Sequence, residues 1–219
     1  MIIAIDGPSG AGKSTVAKLL STKLNFEYID TGAMYRALAY KAITRNIEIS
    51  EANEPMIEEM LKSTMVDYHH NQIYLDDKNV EGFIREEEVS IGASKISALG
   101  SVREKLVELQ RKIAENKNVV LDGRDIGTKV FPNADYKFFI TASEEIRAKR
   151  RFNQLAEKGK EVEYDNVLSD LKKRDKNDST RKLSPLIKAN DAVLVDTTLM
   201  NLDEVVDYIA GIIGGSNVL

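Results

Sequence analysis

Eight consecutive residues, Gly7-Pro8-Ser9-Gly10-Ala11-Gly12-Lys13-Ser14, fit the pattern G-x-x-x-x-G-K-[ST] in full. Glycines let a backbone curl until successive N–H groups face inward, which suits phosphate oxygens. A helix that opens at the end of the loop adds its positive pole to the same anion site. In such a loop Lys13 reaches the outer phosphates of a nucleoside triphosphate, and the Ser14 hydroxyl ligates magnesium. Ordinary residue frequencies give the four fixed positions by chance in roughly one chain of this length in a hundred. Here the loop also follows an apolar run, Ile2-Ile3-Ala4-Ile5, and precedes a helical pattern. That context favours a phosphate cradle over a ligand-free glycine turn.

Four further constellations could serve an acceptor. Asp30-Thr31-Gly32-Ala33-Met34-Tyr35-Arg36 runs from a strand end into a helix start, where free N–H groups can hold an anion with help from Thr31 and Arg36. An ordinary helix cap beside a surface arginine is the plain alternative. Asp122-Gly123-Arg124-Asp125 ends a buried strand, the place where a phosphate-loop protein sets the carboxylate that supports magnesium. Arg174, Asp178 and Arg181 recur at helical spacing, so one face could present two guanidiniums about a carboxylate; a solvated ion-pair ladder explains the pattern equally. Arg147, Arg150 and Arg151 cluster before Glu157-Lys158-Gly159-Lys160, a flexible tip by composition. No Asn-Lys-x-Asp run of the guanine-binding kind is found.

These residues need a scaffold that brings strand ends to one edge. Unalternating apolar runs at 2–5, 119–122, 138–140 and 192–196, with a further strand at 26–29, predict a parallel sheet covered on both faces. Helices are expected at 13–23, with Val16, Leu19, Leu20 and Leu24 on one side, and at 33–44, 51–61, 102–116, 146–153 and 202–213. The first strand, helix and second strand make a right-handed βαβ unit. Runs at 65–69 and 72–75, parted by a His-Asn turn and followed by a turn at Asp77-Lys78-Asn79, read as a small antiparallel meander. The alternation predicts an α/β fold: a doubly wound parallel five-stranded sheet flanked by helices, with an antiparallel insert at about 65–81.

The chain has 219 residues, enough for a single domain. It has no cysteine, so neither a disulfide framework nor a thiolate metal site is available. A formal charge of −4 argues against wrapping a nucleic-acid polymer. No apolar stretch of membrane-spanning length and no basic leader are found, so a cytoplasmic protein is expected, and the Asn177-Asp178-Ser179 sequon reads as coincidence. Nothing in the chain demands more than a monomer.

With these motifs in place, the sequence resembles the bacterial cytidylate kinases from end to end. The likeness rests on Ile5 to Lys13, Asp30 to Arg36, Asp122-Gly123-Arg124-Asp125-Ile126-Gly127-Thr128, Val130-Phe131-Pro132, the Arg174-Asp175 stretch and Ser184-Pro185-Leu186. Thr31 and Ser14 stand where family members often have serine and glycine; both keep or add a hydroxyl. The resemblance implies transfer of the γ-phosphoryl group of ATP to CMP or dCMP, with Mg²⁺ as cofactor and small nucleotides as the only partners. It implies an ATP set of Gly7, Pro8, Ser9, Gly10, Ala11, Gly12, Lys13, Ser14, Thr15 and Arg151, with Ser14 on the metal directly and Asp122 through water. Thr31, Tyr35, Arg36, Arg124 and Arg181 would surround the acceptor phosphate, Ser94, Arg103 and Asp125 would read the base, and Arg174 with Asp178 would lie near the ribose. Lys13, Arg124, Arg174 and Arg181 would be catalytic. The monophosphate-binding region would span 31–100 and a lid 151–164. Cytosine shows an N4 donor beside N3 and O2 acceptors; Asp125 can accept from N4 while Arg103 donates, and uracil would meet both with the wrong polarity.

Overall fold

The computed structural model describes residues 1–69 and 72–215. Along the chain the elements are β1 (Ile2–Asp6), α1 (Lys13–Leu24), β2 (Glu27–Asp30), α2 (Thr31–Thr44), α3 (Glu54–Lys62), β3 (Val66–His69), β4 (Gln72–Leu75), β5 (Lys78–Asn79), α4 (Glu87–Ile96), α5 (Gly100–Ala114), β6 (Val119–Asp122), β7 (Tyr136–Thr141), α6 (Glu144–Glu157), α7 (Tyr164–Thr180), β8 (Val193–Asp196) and α8 (Leu202–Gly215). They fall into two compact units, Met1–Tyr28 with Asn118–Leu219, and Ile29–Lys117. The 31–100 region expected from the sequence lies inside the second.

The first unit is built on the expected five-stranded sheet, in the order β2-β6-β1-β7-β8. Each recorded pairing is parallel: β1 with β6, β1 with β7, and β7 with β8. Strands β1 and β2, joined through α1, are therefore not neighbours, because β6 lies between them. Ile5 sits opposite both Asp122 and Phe138. That register ends β1 and β6 level, so Asp6 and Asp122 arrive at one edge of the sheet. Ile3, Ile5, Val120, Phe138 and Ile140 pack with Val16, Ala17 and Leu20 of α1 and Val205, Val206 and Ile209 of α8 in one apolar core. Leu19, expected on the same stripe as Val16 and Leu20, is instead exposed. Beyond Lys13, the buried residues of α1 are Val16, Ala17, Leu20 and Ser21, so Ala17 and Ser21 take the core-facing place expected of Leu19. β8 is the outer strand, and Leu194 on it faces solvent.

The second unit carries the antiparallel insert β3-β4-β5. The His-Asn turn expected between its first two strands falls at 70–71, outside the described residues. The next turn is Asp76-Asp77, both in the left-handed region at φ 48° and 63°, and Lys78–Asn79 already forms the third strand. Two consecutive left-handed residues match the twist of a tight hairpin, and aspartate tolerates that conformation better than most side chains. The helix expected at 51–61 is a 3₁₀ turn at Glu51–Asn53 followed by α3, which restarts with proline in its first turn. Proline has no N–H to offer, and the first turn is where none is needed. Helix α4 has no counterpart in the sequence reading. Its Gly92 lies so close to α2 that an added methyl would stand 3.3 Å from Ala39 Cβ.

Candidate active site

β1 delivers the chain to the phosphate loop through Gly7, whose φ of 145° only glycine adopts readily. A methyl there would stand 1.9 Å from the Ile140 carbonyl oxygen of β7. Gly10 and Gly12 are left-handed at φ 74° and 88°, and Gly12 is the N-cap of α1 with no side-chain cap. The first helical bond there is Val16 N–H to Gly12 O, at 3.0 Å. The amides of Lys13, Ser14 and Thr15 precede it in the first turn, where an α-helix provides them no acceptor. Lys13 is buried and its Nζ donates to the Pro8 carbonyl at 2.7 Å. Burial, with Arg124 close by, holds its proton affinity well below the usual lysine range, against the opposing pull of Asp122 and Asp178. A second anion source would relieve that stress.

Asp122, at the end of β6, takes the Ser14 hydroxyl on Oδ2 at 2.6 Å and the Tyr28 hydroxyl on Oδ1 at 2.8 Å. A serine hydroxyl beside a fixed carboxylate offers hard oxygen donors. Among the described residues no group of three or more His, Cys, Asp or Glu could hold a metal ion. A small divalent cation here would take its remaining ligands from phosphate and water, the habit of magnesium in phosphoryl-transfer sites. The neighbouring Asp6 accepts the Ile126 and Gly127 N–H groups, both at 2.8 Å. Burial pushes its carboxyl up to about 6, against those two hydrogen bonds. Asp6 thereby ties the start of the phosphate loop to the turn that follows Asp125.

The arginines expected on α7 and after β6 do meet. Arg124 Nε donates to Asp178 Oδ2 at 2.8 Å, and Arg181 lies 3.9 Å from both Asp178 and Asp125. Arg181 Nε also donates to the Ser184 carbonyl at 2.6 Å. Burial alone would raise Asp178, but Arg124, Arg174 and Arg181 outweigh it and hold the carboxyl below its usual range. Burial works to lower Arg124, yet Asp178 and Asp122 keep its charge firmer than usual. Asp178 is thus the organising anion of a cluster that Lys13 and Arg174 also feel. Of the α6 arginines, Arg150 is held by Thr197, through Oγ1 at 3.0 Å and the carbonyl at 2.8 Å. Arg151 is exposed.

In the second unit, Thr31 is buried at the start of α2, where the chain itself takes up one of the helix's free N–H groups. Asp30 Oδ1 caps it by accepting the Ala33 N–H at 2.8 Å. Arg36 pairs with Asp30 Oδ2 at 2.9 Å, and Arg85, which the sequence reading passed over, approaches the same oxygen at 3.3 Å. Burial would raise Asp30; the two guanidiniums and the Ala33 N–H reverse that and lower it. Arg36 Nε is buried without a hydrogen-bond partner among the described residues. Arg103 of α5 lies over the Tyr35 ring at 5.6 Å and donates to the Ser97 carbonyl at 2.9 Å, one helical turn from Ser94. Arg103 of α5 and Tyr35 of α2 therefore meet through packing.

A glycine-rich loop leaving a central strand of a parallel sheet, a buried lysine at its end and arginines set about a carboxylate define a phosphate-loop phosphotransferase. A family model described as cytidylate kinase matches residues 3–214. The chain belongs to the cytidylate kinase family. It is 50% identical to the cytidylate kinase of Fusobacterium nucleatum, covering 96% of this chain and 95% of the relative. It is 51% identical to that of Caldanaerobacter subterraneus, covering 94% and 92%. Among solved structures, an uncharacterized protein from Eubacterium ventriosum shares the fold at a TM-score of 0.54 and 15% identity, with 98% of each chain covered.

Proposed function

We propose that this chain transfers the γ-phosphoryl group of ATP to CMP or dCMP, releasing ADP and the corresponding diphosphate. The observation that carries the reading is the buried Lys13 behind an uncapped helix start, facing a cluster of guanidiniums gathered by Asp178. The acceptor phosphate is itself a nucleophile at neutral pH, so no strong base is required. The protein's part is to align two polyanions in line and offset their charge. Lys13 and the amides of Gly10 to Thr15 receive the triphosphate. Arg124, Arg174 and Arg181 offset the charge that develops during transfer. Ser14 directly and Asp122 through water would hold Mg²⁺, which would supply charge neutralisation and Lewis-acid polarisation at the phosphoryl group. Thr31, Tyr35, Arg36, Arg124 and Arg181 take the acceptor phosphate; Ser94, Arg103 and Asp125 read cytosine; Arg174 and Asp178 address the sugar. The 151–164 segment, with Arg151 on the ATP side, acts as the lid that excludes water.

In this reading the enzyme acts on free nucleotides in the cytoplasm, as a monomer. No helix among the described residues is long and apolar enough to cross a membrane. A coupled assay of ADP release over CMP, dCMP, UMP and AMP tests the reading. Turnover with CMP and dCMP far above that with UMP and AMP is expected. Slow ATP hydrolysis indifferent to every monophosphate would make the chain a switch instead.

A further inference from the structure

The phosphate loop is gripped from outside by a pair the reaction does not use. Arg147 of α6 and Asp175 of α7 form an ion pair, with side chains 6% and 18% exposed. Between them they take both polar backbone groups of Ser9. The Ser9 N–H donates to Asp175 Oδ1 at 3.1 Å, and Arg147 Nη1 donates to the Ser9 carbonyl at 3.0 Å. Arg147 Nε is anchored in turn on the Ala142 carbonyl beyond β7, at 2.9 Å. A guanidinium is planar, so three acceptors fix its orientation as well as its place.

The consequence follows from the flatness of the peptide group. In a trans peptide the C=O and the next N–H point in opposite directions. Drawing the Ser9 carbonyl outward to Arg147 therefore aims the Gly10 N–H the other way. In the preceding peptide, the Pro8 carbonyl turns to Lys13 Nζ while the Ser9 N–H turns to Asp175. Two successive peptide planes at the phosphate loop are thus set by side chains rather than by a bound nucleotide. Gly10 lies close against the same elements: a methyl there would stand 3.1 Å from the Arg147 carbonyl oxygen and 3.3 Å from Leu171 Cδ1.

We propose that Arg147 and Asp175 are positioning residues for the donor nucleotide: they pre-set the phosphate loop so that its amides face the triphosphate before ATP arrives. This rests on ATP being the donor. Preorganised donors cost no reordering when the ligand binds, so their loss should appear in ATP affinity and leave the acceptor largely untouched.

The test measures ATP affinity directly, by calorimetry with magnesium and no acceptor, alongside KM for CMP at saturating ATP. For Asp175→Ala we expect ATP to bind about tenfold more weakly or worse, with KM for CMP within about twofold of the parent. Asp175→Asn retains a carbonyl oxygen for the Ser9 N–H and should recover part of the loss. Arg147→Met combined with Asp175→Ala should be little worse than the weaker single variant, since both act through Ser9. Unchanged ATP affinity in a folded Asp175→Ala protein, or in Arg147→Met should Asp175→Ala not fold, overturns the proposal. So does a parallel loss for ATP and CMP that tracks melting temperature, which is what a purely structural pair would give. If the parent binds ATP but does not phosphorylate CMP, the proposed reaction fails while the affinity comparison still decides the role of this pair.

Discussion

Two of the junctions where a buried strand passes into a helix treat the helix end in opposite ways. After β1 the helix start is left to Gly12, with no acidic residue in the first turn and a buried lysine behind it. After β2 the chain supplies its own anion: Asp30 caps Ala33 and is neutralised by Arg36 and Arg85. The first junction keeps its backbone donors for a guest. The second has given that place to a carboxylate, so any anion bound there must be drawn by guanidiniums, not by the helix dipole. In the proposed function, two motifs that look alike in the sequence would thus divide the work of holding phosphate between backbone and side chain.

Removing the cation from the first junction is the most drastic way to test this division. Lys13→Ala should lower kcat by about a thousandfold or more, as loss of a preorganised charge at a transferring phosphate does, with KM for CMP nearly unchanged. Retained turnover would remove Lys13 from its assigned role. At the second junction, Asp30→Ala should cost roughly 2–3 kcal/mol in urea unfolding, because it deletes a cap and strips a partly buried arginine of its partner. A loss of only about 1 kcal/mol would mean that the cap matters and the pairing does not.

The pH dependence of stability separates Asp6 from the paired acids. Its carboxyl stands at about 6 against a usual 3.8, so the native state holds this proton more firmly than the unfolded chain. The stability it contributes is greatest below pH 4 and is lost as the pH rises through about 6. Asparagine does not titrate, so Asp6→Asn should gain on the parent by roughly 2–3 kcal/mol between pH 4 and pH 7. Parallel curves for the two proteins would show that Asp6 folds with an ordinary pKa. The smallest effect is expected at Gly12, where an added methyl meets nothing and only the left-handed φ is strained. Gly12→Ala should cost about 1–2 kcal/mol in thermal unfolding, and a greater loss would mean that the helix start is more crowded than its geometry indicates.

What could be read from the chain was what neighbours in sequence encode. The phosphate loop, the strand ends at Asp6 and Asp122, and the carboxylate between Arg174 and Arg181 all depend on local runs or helical spacing. Helix α4 escaped although Val89 and Ile96 are buried on it, because Gly92 and Ala93 between them are too small to complete an apolar stripe. The Arg147–Asp175 clamp escaped because its partner, Ser9, is 166 residues from Asp175 and contributes only backbone atoms. Arg147 was visible as one of three arginines on a helix, but only packing decides that it turns inward to the phosphate loop. Asp30 was legible as a cap; that Arg36 and Arg85 would converge on it needed the hairpin insert and α4 to be folded around them.

Gly7 sits where one methyl would collide with a carbonyl in the middle of the sheet. The gateway to the donor site is therefore a fixed hinge-pin rather than an adjustable jaw. Under the proposed base-reading set, a change of base preference would fall on the helices that carry Tyr35, Ser94 and Arg103 and leave this loop entrance untouched.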